Sequence, residues 1–249
     1  MWSFRARVER LKEPVRSRTY GKRPGAVQTF AGASLFTIAW AAAILGAAFI
    51  AALPLGASER PVKIVALGDS LTAGLGLAPE QTFPAKLAQA LRQKGIAVEM
   101  VNAGVSGDTA SDGASRLDWS VPDGTDAVIL ELGANDALRG IDPKLTRAAL
   151  EKILRRLNER HIAVLLAGMR APRNLGTAYV EAFDAGFPEL AATYGVVFYP
   201  FFLDGVATER GLNQPDGLHP TAAGVDVIVA RMLPKVEELV ARVRTARGS

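Results

Sequence analysis

The chain has 249 residues, 49 % of them hydrophobic, a formal net charge of +4 and no cysteine. That is enough apolar material for one sizeable core, and it excludes disulfides, thiolate metal sites and a cysteine nucleophile. The charge is unevenly placed: residues 1–58 hold eight Lys/Arg against Glu9 and Glu13, a net of +6, which leaves −2 on a remainder of about 190 residues with no electrostatic footprint for DNA or RNA and no room for a second catalytic domain.

From Pro24 to Ser58 there is no charged side chain, and FAGASLFTIAWAAAILGAAFIAALPLGAS, Phe30 to Ser58, is long enough to span a bilayer as a helix. The basic residues before it are expected to stay cytoplasmic, so everything after it is expected across the inner membrane, in the periplasm. Gly56-Ala57-Ser58 has the small residues a signal peptidase requires for a cut before Glu59. The long basic front and long apolar run equally suit an uncleaved anchor, and a start downstream of Met1 would shorten the front to that of an ordinary leader. A buried helix of a soluble protein fits the uninterrupted length poorly. The expected division is therefore residues 1–58 as signal peptide or anchor and 59–249 as a catalytic domain.

Beyond Glu59, strand and helix patterns alternate. VKIVALG (Val62–Gly68) is a β-branched apolar run suited to a buried parallel strand, and Phe83–Gly95 has helical spacing closed by a glycine. Ile96–Gly104, Asp126–Gly133, Ile162–Met169 and Val196–Pro200 follow as strands; Asp142–Arg160, Ala178–Gly195 and His219–Arg244 follow as helices. Five strands separated by helices predict a doubly wound α/β fold, because parallel strands need crossovers that then cover both faces of the sheet. In such a fold the ligand site lies beyond the carboxyl ends of the strands.

The first strand-ending loop is GDSLTAGLG (Gly68–Gly76), whose glycines let the backbone turn tightly around Ser70. A serine is a poor nucleophile without a base, and the chain has two histidines. His161, between a charged helix end and a strand, reads as a solvated connector. His219 stands in QPDGLHPTAAG with Asp216 three residues before it, a spacing at which a carboxylate can hold the imidazole across one turn while the imidazole takes the serine proton. The same stretch also reads as a helix start, with Pro220 at the first helical position. Two more strand ends offer oxyanion donors: the Gly104 backbone N–H in VNAGVSGDT and the Asn135 side-chain amide in LGANDALRG.

Together, GDSL at 68–71, NAGVSGDT at 102–109, GANDALRG at 133–140 and DGLHP at 216–220 resemble the four sequence blocks of the SGNH, or GDSL, hydrolase superfamily. The linking segments Gly168–Phe183 and Tyr199–Val206 further resemble its bacterial thioesterase I, lysophospholipase and arylesterase branch. The resemblance covers residues 62–240 and implies a flavodoxin-like three-layer α/β/α sandwich with a five-stranded parallel sheet. It also implies a serine esterase that needs no metal or cofactor. Residue by residue, it implies Ser70 as nucleophile, His219 as base, Asp216 as its partner, and Gly104, Asn135 and the Ser70 backbone N–H as oxyanion donors. The long basic front departs from the short exported leaders expected of the family.

The implied substrates are small-molecule carboxylic esters, aryl or short to medium acyl, together with acyl thioesters or lysophospholipids. Leu138, Ile141, Met169 and Pro172 are expected to form an apolar groove for the acyl or aryl group. A carbohydrate O-acetylesterase is the alternative within the enzymes. A nucleotide-binding module is the alternative outside them, although the chain lacks the phosphate-loop pattern. The expected protein is a monomer that meets the membrane only through its N-terminal segment.

Overall fold

The computed structural model describes residues 60–248; the expected leader or anchor lies outside the described residues. Five parallel strands, β1 (Val62–Gly68), β2 (Val98–Gly104), β3 (Ala127–Glu131), β4 (Ala163–Ala167) and β5 (Val197–Tyr199), form one sheet in the order β2-β1-β3-β4-β5. The registers are in step: Gly68 at the end of β1 sits beside Gly104 of β2 and Glu131 of β3, so three strands deliver their loops to one point. β3 is buried throughout and β1 at every position but Lys63, which is why both read as continuous apolar runs. β2, at the sheet edge, is only partly buried and carries Glu99 and Asn102, as suits an edge that must not pair with other chains.

The long helices are α2 (Phe83–Gln93), α6 (Pro143–Glu159), α7 (Thr177–Tyr194) and α8 (Ala222–Gly248). α2 and α8 pack together on one face of the sheet, α6 and α7 on the other. Helical spacing makes each apolar stripe: Phe83, Leu87 and Leu91 of α2 are fully buried, as are Leu150, Ile153, Leu154 and Leu157 of α6. Local signals set the ends. Asp142 caps α6 by accepting from the Lys144 N–H at 2.9 Å, Pro143 opens it, and left-handed Gly195 closes α7. The three-layer α/β/α architecture is the one expected. Four short helices were not foreseen: α1 (Ser70–Ala73), α3 (Ala110–Ser115), α4 (Leu117–Ser120) and α5 (Ala134–Leu138) are too short to show a period. Among the described residues, no helix is long and apolar enough to cross a membrane.

Candidate active site

β1 ends where α1 begins with no room to spare. A Cβ on Gly68 would lie 2.2 Å from Thr72 Oγ1 and 2.6 Å from the Glu131 carbonyl oxygen, so only glycine lets the strand end press against β3 and turn at once into α1. Asp69 caps that turn, its Oδ1 accepting from the Leu71 N–H at 2.9 Å. Ser70 is the first residue of α1, and left-handed Gly74 ends the helix after one turn. Ser70 Oγ lies 2.8 Å from His219 Nε2, a contact between residues 149 positions apart that the topology alone creates.

His219 sits in a turn before α8, not inside the helix. Asp216 Oδ1 accepts from the backbone N–H groups of Leu218 and His219 at 2.9 and 3.0 Å, while its Oδ2 lies 2.7 Å from His219 Nδ1. The expected helix start at Pro220 is corrected. Pro220 bridges to Asn213, and the capping oxygen is Thr221 Oγ1, which accepts from Gly224 N–H. Asp216 is thus free to serve the imidazole. The backbone N–H of His219, then its ring, then the N–H of Leu218 hold the Asp216 carboxyl down at about 2. Gln214, missed in the sequence, joins the two halves: its Nε2 donates to the carbonyls of Leu75 and Pro220 at 2.7 and 2.9 Å.

Asn135, on α5, points its Nδ2 at Asp69 Oδ2 (3.1 Å) and the Asp108 carbonyl (3.0 Å). These two acceptors orient the amide, and service to an oxyanion would share or exchange one of them. The expectation for Gly104 is corrected. Its N–H donates to Asn102 Oδ1 at 3.0 Å, and a Cβ there would lie 2.2 Å from the Ala73 nitrogen, so this glycine packs beneath α1 and does not line the cleft. Gly107, three residues on, does line it, with φ at +91° and an N–H that meets no acceptor among the described residues. Arg116 fixes this loop to the strand ends: Nε donates to Asp108 Oδ2 (2.6 Å), Nη1 to the Ala103 carbonyl (2.9 Å) and Nη2 to the Gly68 carbonyl (2.9 Å).

Two carboxylates lie buried beneath Ser70. Burial pushes Asp69 up to about 6, against the opposing hydrogen bonds from Leu71 and Asn135. Burial, and then the charge of Asp69, push Glu131 well above the usual carboxylate range. Glu131 Oε2 accepts from Thr72 Oγ1 at 2.7 Å, and Oε1 is buried with no hydrogen-bond partner among the described residues. Neither acid was singled out from the sequence; a carboxylate ending an otherwise apolar strand was the available signal.

Ser70 and His219 open into a cleft of about 680 Å³ whose walls include Leu138, Met169, Pro172, Phe201 and Leu203. Ile141 is corrected: it lies outside the lining, past the turn at Gly140, where its carbonyl accepts from Tyr179 Oη. His161 is exposed at the end of α6 in a left-handed conformation, φ 55°. Among the described residues, no group of three or more His, Asp and Glu side chains is placed to hold a metal ion.

Comparisons with known proteins point to one family. The GDSL-like Lipase/Acylhydrolase family matches residues 66–227. An arylesterase of Vibrio mimicus is 38 % identical over 165 residues, covering 66 % of this chain and 82 % of that protein. Esterase TesA of Pseudomonas aeruginosa is 35 % identical over 177 residues, covering 71 % and 88 %. Among solved structures, the SGNH-hydrolase family esterase AlinE4 is 45 % identical with a TM-score of 0.62, covering 72 % of this chain and 96 % of that one. With a serine, an imidazole and a carboxylate in hydrogen-bonded series at the strand ends, and with relatives of this kind along most of the domain, the chain belongs to the GDSL-like lipase/acylhydrolase, or SGNH hydrolase, family.

Proposed function

We propose that this chain is a serine esterase that cleaves aryl and short- to medium-chain acyl esters, and acyl thioesters or lysophospholipids, through an acyl-enzyme. The observation that carries this is the Ser70–His219–Asp216 series, at 2.8 and 2.7 Å, opening on an apolar cleft. Ser70 Oγ attacks the acyl carbonyl carbon while His219 Nε2 takes its proton; Asp216 holds Nδ1–H and stabilises the imidazolium. The oxyanion is met by the Ser70 N–H, which has no partner within α1, by Asn135 Nδ2 and by the Gly107 N–H in place of Gly104. The tetrahedral species collapses by breaking the bond to the leaving oxygen or sulfur, which takes the proton from His219. Water then gives its proton to His219 and attacks the acyl-enzyme, releasing a carboxylic acid and restoring Ser70.

The wall of Leu138, Met169, Pro172 and Phe201 favours an acyl or aryl group over a sugar, and so favours this reading over carbohydrate O-acetylesterase. Hydrolysis of p-nitrophenyl hexanoate, octanoyl thioester and acetylated xylan by the purified protein separates the two. Turnover of the first two is expected; turnover of xylan acetate alone would replace the reading. The charge-free run Phe30–Ser58 behind a net +6 segment supports export of residues 59–249, either cleaved or anchored.

A further inference from the structure

Within the cleft the charge is one-sided. Among the described residues that line it, none is acidic, while Arg170 and Arg173 both face it. The two arginines are not equivalent. Arg173 is paired with Asp184 Oδ2 at 3.2 Å. Arg170 is exposed and has no hydrogen bond or ion pair among the described residues; its guanidinium lies over the Phe201 ring, 4.8 Å from the centroid.

The support under Arg170 is fixed. Asp184 of α7 accepts from the Ala171 N–H at 2.9 Å, which pins the loop one residue beyond Arg170, and Phe201 stands two residues past the end of β5. Stacking engages the face of a guanidinium and leaves its edge donors available, in the fork that suits phosphate, sulfonate or carboxylate oxygens. An unpaired cation held in place at a cleft whose described lining has no acidic side chain is a preorganised anion contact.

We infer that Arg170 is a specificity-determining residue that binds an anionic group carried by the ester substrate, so that the preferred substrates are anionic amphiphiles and not neutral esters. This inference rests on the esterase reading above. The anion can sit on the leaving group, as in a phosphorylated alcohol or thiol, or on the far end of the acyl chain, and the two are separated by the probes.

The test uses two matched pairs. In the first, 4-(hexanoyloxy)benzenesulfonate is compared with 4-(hexanoyloxy)benzenesulfonamide, which places the charge on the leaving group. In the second, the mono-4-nitrophenyl ester of suberic acid is compared with 4-nitrophenyl octanoate, which places it on the acyl side. The ratio of kcat/KM, anionic over neutral, is measured for the wild type, Arg170→Gln and Arg170→Lys, so that intrinsic ester reactivity cancels. In one pair the ratio should fall about tenfold in Arg170→Gln, the equivalent of one charge-assisted contact, mainly through KM. Arg170→Lys should retain part of it, and added salt should lower it in the wild type. Ratios equal in wild type and Arg170→Gln for both pairs would overturn the inference while leaving the esterase standing. No hydrolysis of any of the four esters by folded wild type would remove the esterase reading and this inference with it.

Discussion

Beneath Ser70 lie Asp69, the residue after β1, and Glu131, the last of β3, both fully shut off from solvent, whereas across the cleft Asp216 leaves 43 % of its side chain exposed. Burial pushes one aspartate up to about 6, and hydrogen bonds hold the other down at about 2. The Ser70 half of the candidate site is thus a packed floor, in which Gly68, Thr72, Glu131 and Arg116 fix backbone positions through the sheet. The His219 half is a local turn, in which a carboxylate and three donors within four residues organise themselves. A floor of this kind transmits any change of volume or charge to Ser70; a turn of this kind depends on few neighbours.

The largest effects should come where the halves meet. Ser70→Ala and His219→Ala are each expected to lower turnover by about 10³-fold or more while far-UV circular dichroism is unchanged, with Asp216→Asn costing less than either. Since the Asp216 carboxyl is held down at about 2, its protonation should not limit activity at higher pH, and the acid limb of a kcat/KM profile should persist in Asp216→Asn; its disappearance would assign that limb to Asp216. On the floor, Asn135→Ala is expected to cost about 10²–10³-fold in kcat with little change in KM; an unchanged kcat would remove Asn135 from the oxyanion site. At the cleft wall, Leu138, 52 % exposed, should matter less. Leu138→Asp is expected to impair octanoate more than acetate, and equal losses would take it out of the acyl groove.

The smallest effect tests the buried acid directly. With its folded value raised from 3.8 to about 6, Asp69 contributes stability that is fully present below the lower value and is lost as pH rises through the upper one, at most about 3 kcal/mol. Asp69→Asn cannot ionise and lacks that slope. The Tm of the variant relative to wild type should therefore climb between pH 4 and pH 6, and a constant difference across the window would show that burial does not load this carboxylate.

The same contrast explains what could be read from the sequence. β1, β3 and β4 are legible because burial on both faces makes them unbroken apolar runs, and the long helices because their stripes recur. Asp216 and His219 are legible as partners because three positions bring them together in any tight turn. The floor is not local and was not legible. Gly104 drew attention as a strand-ending glycine, yet that position is required by the approach of Ala73; the cleft-facing glycine is Gly107, whose sign was the Ser-Gly-Asp turn with its left-handed glycine. Ile141 looked like groove because it follows Leu138 in the chain, but α5 ends between them and the Gly140 turn carries Ile141 away. Asp69 and Glu131 meet only because three strands end in register, a fact that pairing supplies and one strand's sequence does not.

One measurement bears most directly on the central claim, that His219 makes Ser70 the nucleophile. The purified protein is treated with a fluorophosphonate, the site of modification is mapped by mass spectrometry, and the rate is compared with that of His219→Ala. Modification of Ser70, slowed strongly in His219→Ala, is the predicted result. Modification at another residue, or equal rates for wild type and His219→Ala, would contradict it.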